Sequence, residues 1–111
     1  MKTQTNYSSY EALDIRVGKV IKVEDATSKK PTYRMTIDFG PEVGIKISCG
    51  AYRNYEKGDL IGKQVVCVIN FPEKKMGAEI SQALTLGVAN NKGEVIYLTP
   101  QSEVPLGTQI F

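Results

Sequence analysis

The residue types with which enzymes most often do chemistry are missing from this chain or are not arranged for it. The sequence contains no His, and the spacings Gly-x-Ser-x-Gly, Gly-x-x-x-x-Gly-Lys-Ser/Thr and Cys-x-x-Cys do not occur in it. The common nucleophilic, phosphate-binding and metal-binding arrangements therefore cannot be assembled. Its 12 Asp and Glu residues are scattered through predicted turns and outer strand faces, where solvated charge accounts for them. The sequence predicts a protein that is not an enzyme and that needs no cofactor.

Two cysteines, Cys49 and Cys67, are the other candidates for reactive or metal-binding side chains. Two are too few for a disulfide framework, and without His they cannot form the usual Cys/His zinc site. Free Cys is among the residue types most often buried. We therefore interpret both as reduced thiols of the core.

The basic residues remain as candidates for a binding site. Lys and Arg number 14, and the net charge of +2 is too small to coat a polyanion by bulk charge. Any such binding must therefore be local. All 14 basic residues precede residue 93, so the charge is polarised along the chain. The strongest local candidates lie on a predicted hairpin and in a later loop: Arg34, Lys46, Lys74 and Lys75. Such residues more often serve only solubility, so the residues alone leave the function open.

Aromatic side chains could add base stacking to such a surface. Tyr33, Tyr52 and Tyr55 are the candidates. The alternation of apolar and polar residues through Tyr33, Met35, Ile37 and Phe39 turns Tyr33 inward, which favours a buried tyrosine.

Composition and spacing predict an all-β fold. Val and Ile number 20 against 12 Leu and Ala, and ten Gly and five Pro divide the chain at short intervals. Strands are predicted at 15–24, 33–39, 45–49, 65–69 and 80–86, with a last short strand at 95–98, and turns at 40–44 and 90–93. A helical turn or loop fits 52–63, and loops are predicted at 29–31 (Lys29-Lys30-Pro31) and 70–77. This pattern is typical of a five-stranded OB-type Greek-key barrel, with another small barrel as the alternative.

Several details of this prediction concern where side chains point. Gly18 is placed for a bulge or bend in the first strand, and the unbroken apolar run 65–69 predicts the covered centre of the barrel. In the hairpin, alternation turns Ile45, Ile47 and Cys49 inward. Arg34, Thr36, Lys46 and Ser48 would then share the outer face. In the strand predicted at 80–86, the inward residues would be Ile80, Leu84 and Leu86.

The ends of the chain carry their own signals. Ser8-Ser9-Tyr10-Glu11 is a capping box, which predicts a short helix through Leu13. The chain should form one domain, with an amino-terminal segment at 1–13, a barrel at 14–99 and an extension at 100–111. It begins without the apolar core of a signal peptide and lacks a run of about 20 apolar residues. A cytoplasmic location is therefore predicted.

The motifs in these segments resemble the tRNA-binding OB domain. This domain is found in methionyl-tRNA synthetases, in the beta chain of phenylalanyl-tRNA synthetases and in free-standing tRNA-binding proteins. The resemblance begins with Asp-Ile-Arg-Val-Gly-Lys-Val at 14–20 and continues through 37–40, 60–66, 70–72, Ser81 and 104–107. Residues 30–33 and 38–46 are most similar to the CsaA type, described as export-related chaperones.

This resemblance implies two functions and a quaternary structure. The first function is binding of tRNA or another structured RNA through a dimeric OB surface. The family's RNA-binding motif is matched at Asn70, Pro72, Lys74 and Ser81. With these matches, the predicted RNA-binding residues are Arg34, Lys46, Asn70, Lys74, Lys75, Ser81 and Gln82. The alternative is an export-related chaperone that holds unfolded preproteins in an apolar groove between subunits. A homodimer is expected, with its interface formed by apolar residues near the two ends: Tyr7, Tyr10, Leu13, Leu106, Ile110 and Phe111.

Overall fold

The computed structural model describes residues 1–27 and 30–111 and shows a curved, nearly closed antiparallel barrel. The strands are β1 (Ile15–Asp25), β2 (Tyr33–Asp38), β3 (Ile45–Gly50), β4 (Gln64–Val68), β5 (Lys74–Met76), β6 (Glu79–Ser81), β7 (Leu84–Thr85), β8 (Gly87–Ala89) and β9 (Val95–Tyr97). The helices are α1 (Tyr7–Glu11), α2 (Gly40–Val43) and α3 (Lys57–Leu60). Five strands form the main sheet in the order β3-β2-β1-β4-β7. This confirms the predicted OB-like barrel, while the loop predicted at 29–31 falls partly outside the described residues.

Strand β1 is the centre of the sheet, and the prediction that 65–69 occupies that place is wrong. The first half of β1 pairs with β4 and its second half pairs with β2. The ladder is irregular between Val20 and Lys22, so the predicted bulge lies beyond Gly18. A Cβ at Gly18 would lie 2.5 Å from Ile37 Cγ2. Glycine is therefore needed there for close packing of the barrel interior.

Strand β2 follows the predicted alternation. Tyr33, Met35 and Ile37 are buried, while Arg34 and Thr36 are half-buried. Phe39 is fully buried directly after the strand. Residues that alternate in this way place one apolar face against the core, which is why the pattern identified this strand correctly.

Strand β3 faces opposite to the prediction. Ser48 is buried and Ile45 is 59% exposed. In the antiparallel register Met35 is opposite Ser48 and Ile37 is opposite Lys46, whereas Arg34 is opposite Cys49. Residues directly opposite each other share a face, so Arg34 and Lys46 lie on different faces of the sheet.

The buried hydroxyl of Ser48 explains this reversal. Ser48 Oγ lies 2.7 Å from Thr85 Oγ1, and the two hydroxyls form a hydrogen bond inside the barrel. A buried polar group costs little when it is hydrogen-bonded. The pair allows two polar residues to occupy positions that the alternation pattern assigns to apolar ones.

The segment predicted as a loop at 70–77 contains a strand. β5 and β6 form a hairpin through Gly77, which has a φ of 68°. In the segments that follow, Glu79, Ala83 and Thr85 are buried, while Ile80 and Leu84 are 44% and 49% exposed. The inward positions predicted for Ile80 and Leu84 are therefore wrong.

The amino-terminal helix is shorter than predicted and has a different cap. α1 follows Asn6 as the N-cap residue, with no side-chain capping bond, so Ser8 lies within the first turn. At the other end of the chain, Gly107 N donates to Val17 O and Ile110 N donates to Ile15 O, both at 2.8 Å. The carboxy-terminal segment thus pairs with β1.

The remaining connections agree with the prediction. α3 forms the helical turn expected within 52–63, and Asn90 to Gly93 forms the expected turn before β9. Among residues 1–27 and 30–111, no helix is long and apolar enough to cross a membrane.

Candidate nucleic-acid interface

The β5–β6 hairpin and the loop before it border a groove of 390 Å³, which we call the hairpin groove. The groove is lined by Cys49, Phe71, Pro72, Lys74, Met76, Ser81, Gln82, Ala83 and Leu84. Three of the seven residues predicted to bind RNA are therefore brought together here: Lys74, Ser81 and Gln82.

Ser81 and Gln82 hold the hairpin against the edge of β3. Ser81 Oγ accepts a hydrogen bond from Cys49 N at 3.0 Å and donates to Ala83 O at 3.1 Å. Gln82 Oε1 accepts from Ile47 N at 2.9 Å, and Gln82 N donates to Ile47 O at 2.7 Å. Side chains thus take the place of ladder partners for β3, and they help to close the barrel.

Asn70 joins the loop before the hairpin to the amino-terminal segment. Its Oδ1 accepts from Asp14 N and its Nδ2 donates to Ala12 O, each at 2.8 Å. Asn70 therefore uses both ends of its amide to position the loop.

Arg34 is bound by two carboxylates. Its Nη1 donates to both oxygens of Glu79 at 2.8 Å, and its Nη2 lies 3.2 Å from Glu24 Oε2. Glu79, which is 5% exposed, also accepts from Thr27 N at 2.9 Å. The hydrogen bond from Thr27 N and then those from Arg34 lower the pKa of Glu79, and the bond from Arg34 lowers the pKa of Glu24. Arg34 therefore helps to anchor the hairpin to the sheet.

Three of the predicted lysines have ammonium groups without a partner among residues 1–27 and 30–111. Lys46, Lys74 and Lys75 make no hydrogen bond or ion pair with the described residues, and Lys74 and Lys75 are exposed. Lys74 is opposite Ser81 and lines the groove, whereas Lys75 is opposite Ile80. Since neighbouring residues of a strand point to opposite faces, Lys75 lies on the other side of the hairpin.

The predictions missed two residues of this region. Phe71, which lines the groove, is 47% exposed, and an aromatic residue between Asn70 and Pro72 was the signal that could have identified it. No signal in the sequence distinguished Glu79 from solvated acidic residues. The candidate Tyr33 is buried, as predicted, and Tyr52 is buried as well.

Both cysteines are free thiols. Cys67 is buried, and burial raises its pKa to about 11. Cys49 is half-buried beside the groove, and burial raises its pKa as well. Neither thiol has the lowered pKa of a reactive cysteine. Within residues 1–27 and 30–111, no group of three acidic or Cys side chains is placed to hold a metal ion.

A second, more apolar groove of 520 Å³ lies along the carboxy-terminal segment. Ile110 and Phe111 line it together with Leu98 and Val104, and Phe111 is fully exposed. On α1, no residue is buried, and the rings of Tyr7 and Tyr10 lie 6.0 Å apart. Apolar surface is therefore present near both ends of the chain.

The structure is that of an OB-type barrel whose β5–β6 hairpin carries two exposed lysines, one of which lines a groove. Residues 15–109 match the family model described as "Putative tRNA binding domain". The chain belongs to this tRNA-binding domain family.

Individual relatives agree with that assignment. The chain is similar to the CsaA chaperone of Bacillus anthracis, with a TM-score of 0.92 and 38% identity, over 98% of this chain and 100% of that one. The chain is also similar to the CsaA chaperone of Picrophilus torridus, with a TM-score of 0.92 and 38% identity, over 97% of this chain and 100% of that one. The methionine–tRNA ligase of Archaeoglobus fulgidus is 36% identical over 110 residues, which are 98% of this chain and 16% of the ligase.

Proposed function

We propose that this protein binds tRNA through the face that carries the β5–β6 hairpin. The observation that carries the proposal is the pair Lys74 and Lys75, which are exposed and have no ion pair with the described residues. They lie on a hairpin that part-buried hydrogen bonds hold in position. Phosphates are bound mainly by such cationic side chains, and this binding is independent of sequence. Membership in the tRNA-binding domain family supports the same function.

The anchoring of the hairpin explains how this surface would work. Ser81, Gln82 and Arg34 bind to groups of the same chain, so their role in RNA binding is to position the lysines. A surface held in place in this way loses less conformational freedom when it binds a ligand. In this role the protein is a binding module without catalysis, and it acts where tRNA occurs, in the cytoplasm.

We propose in addition that the binding unit is a homodimer. The support is the exposed apolar surface near the chain ends, where Tyr7 is 70% exposed and Phe111 is fully exposed. Contiguous exposed apolar surface often marks an interface. Two copies would also double the number of lysines available to one RNA molecule.

A second function, binding of unfolded polypeptide, is favoured by a different observation. Phe71, Ile80 and Leu84 are exposed on or beside the hairpin, and apolar side chains of an unfolded chain could bury against them. The similarity to solved CsaA chaperones supports this alternative.

Salt dependence separates the two functions. The purified protein is titrated into labelled total tRNA and, separately, into a labelled unfolded preprotein segment at 50 mM and at 200 mM salt. The tRNA-binding proposal expects affinity for tRNA that falls steeply with salt, because counterions are released from phosphates. Apolar contacts with a peptide should weaken little over this range. Absence of tRNA binding at the lower salt concentration, together with salt-insensitive peptide binding, would contradict the first function and support the second.

A further inference from the structure

Phe71 is a feature of the hairpin groove that phosphate binding leaves unexplained. Its ring is 47% exposed and forms part of the groove wall beside Pro72. Leu84, which is 49% exposed, lines the same groove. A single exposed apolar residue is ordinary, but here a flat aromatic side chain and a second apolar residue border one concave site.

The inside of the groove provides apolar contact and few free hydrogen-bonding groups. Ala83 is 5% exposed, and the side chains of Ser81 and Gln82 already bind to the edge of β3. Ligand sites of proteins usually measure about 300–1,000 Å³. The 390 Å³ of this groove is therefore enough for a small planar ring system and too little for a segment of double helix.

One cation shares this groove. Lys74 lines it with an ammonium group that has no partner in the described part of the chain, whereas Lys75 lies on the other face of the hairpin. Glu73 at this end accepts a hydrogen bond from Gln82 Nε2 at 3.0 Å. A ligand that combines a planar apolar ring with a negative charge fits this arrangement better than a wholly apolar ligand, since it would use Phe71 and Lys74 together.

We propose that the hairpin groove takes one unpaired nucleobase of the bound RNA, stacked on Phe71, with an adjoining phosphate on Lys74. This inference rests on the proposed tRNA binding and adds a base-binding site to it. Proteins recognise unpaired RNA largely by stacking splayed-out bases on aromatic side chains. Because every base has a flat face, such a site has little sequence preference.

The test uses a short single-stranded RNA that contains one 2-aminopurine, and the same strand annealed into a duplex. The full chain should change the fluorescence of the single strand on binding, and Phe71→Tyr, which keeps an aromatic face, should behave as the wild type does. Phe71→Leu should weaken single-strand binding about tenfold, the typical loss when one stacked base is released. Its affinity for the duplex should be unchanged.

Lys74→Ala and Lys75→Ala form a matched pair, since both residues are exposed and adjacent in β5. Lys74→Ala should weaken single-strand binding more than duplex binding. Lys75→Ala should affect the two RNAs alike, because its side chain lies outside the groove. Circular dichroism of each variant verifies the fold, which surface substitutions such as these should leave intact.

Three results would overturn the inference. If Phe71→Leu binds the single strand as the wild type does while tRNA binding persists, the groove does not take a base and the proposed function survives. If the unfolded preprotein segment displaces the single strand and Phe71→Leu weakens both ligands equally, the groove takes apolar side chains instead. If neither tRNA nor the single strand binds the wild type, the proposed function itself fails.

Discussion

Arg34 Nη1 lies 2.8 Å from both carboxylate oxygens of Glu79, and this ion pair joins strand β2 to the β5–β6 hairpin. The two residues are 45 positions apart in the chain. Arg34 also binds Glu24 of β1, and Glu79 also accepts from Thr27 N. The hairpin that carries Lys74 and Lys75 is thus fixed to two strands of the main sheet.

Replacement of Glu79 by Gln should lower the midpoint of urea unfolding. The variant keeps an acceptor for Thr27 N but removes the negative charge that faces Arg34. The guanidinium of Arg34 then keeps only its ion pair with Glu24, and the loss of the charged partner at a nearly buried position destabilises the folded state. Equilibrium unfolding followed by circular dichroism measures the effect. Glu103→Gln, at an exposed position, is the control and should unfold as the wild type does. Equal midpoints for both variants would show that the ion pair contributes nothing to stability.

The same carboxylate should make stability depend on pH. The pKa of Glu79 is lowered in the folded state, so the unfolded chain takes up protons at a higher pH than the folded one. The contribution of Glu79 to the free energy of unfolding is therefore complete above the ordinary pKa of 4.5 and is lost as the pH falls through the folded pKa. The free energy of unfolding is measured for the wild type and for Glu79→Gln from pH 7 to pH 3. The difference between the two proteins should become smaller toward pH 3. If the difference in the free energy of unfolding is the same at every pH, the titration of Glu79 does not contribute to stability.

Removal of the two exposed hairpin lysines should weaken RNA binding without a preference among tRNAs. For Lys74→Ala combined with Lys75→Ala, the plot of log affinity against log salt should become shallower by about two units, one for each lost phosphate contact. Filter binding or anisotropy at several salt concentrations provides the slope. Lys2→Ala combined with Lys92→Ala removes the same charge from two exposed sites elsewhere. Equal slopes for the two double variants would mean that the hairpin lysines are only solvated.

Ser81 should matter for stability more than for direct contact with RNA. Ser81→Ala leaves Cys49 N without its acceptor, and the loss should destabilise the protein by about 1–2 kcal/mol. Urea unfolding of this variant and of Ser102→Ala, at an exposed position, supplies the comparison. The affinity of the folded fraction for tRNA should stay within about twofold of the wild type. A tenfold loss of affinity with unchanged stability would instead assign Ser81 to the RNA contact.

The proposed dimer can be tested at its carboxy-terminal surface. Light scattering of the eluting wild type should give about twice 12.2 kDa. Ile110→Asp combined with Phe111→Asp places two charges in the apolar groove near the chain end and should yield the monomer. Ile80→Asp, on the outer face of the hairpin, should leave the dimer intact. A monomeric wild type at micromolar concentration would exclude this assembly.

The sequence predicted most reliably those elements whose secondary structure and buried face follow from a single local pattern. Alternation through Tyr33, Met35 and Ile37 identified β2 and its inward face, because only one of its two faces is apolar. Glycine located the turns at 40–44 and 90–93, where Gly44 and Gly93 have φ of 86° and 77°, since few other residues adopt such backbone angles. The motifs that begin at 14–20 and continue to 104–107 together indicated the family, which the match over residues 15–109 shows.

What only the tertiary structure decided was the orientation of weakly patterned strands and the partners of polar side chains. β3 has apolar residues at Ile45 and Ile47 but turns Ser48 inward, because Thr85, 37 positions away, provides its hydrogen bond. Glu79 and Ser81 likewise act through partners distant in sequence. The local sequence defines the chemical type of a side chain. The role of that side chain depends on which groups the folded chain brings within hydrogen-bonding distance of it.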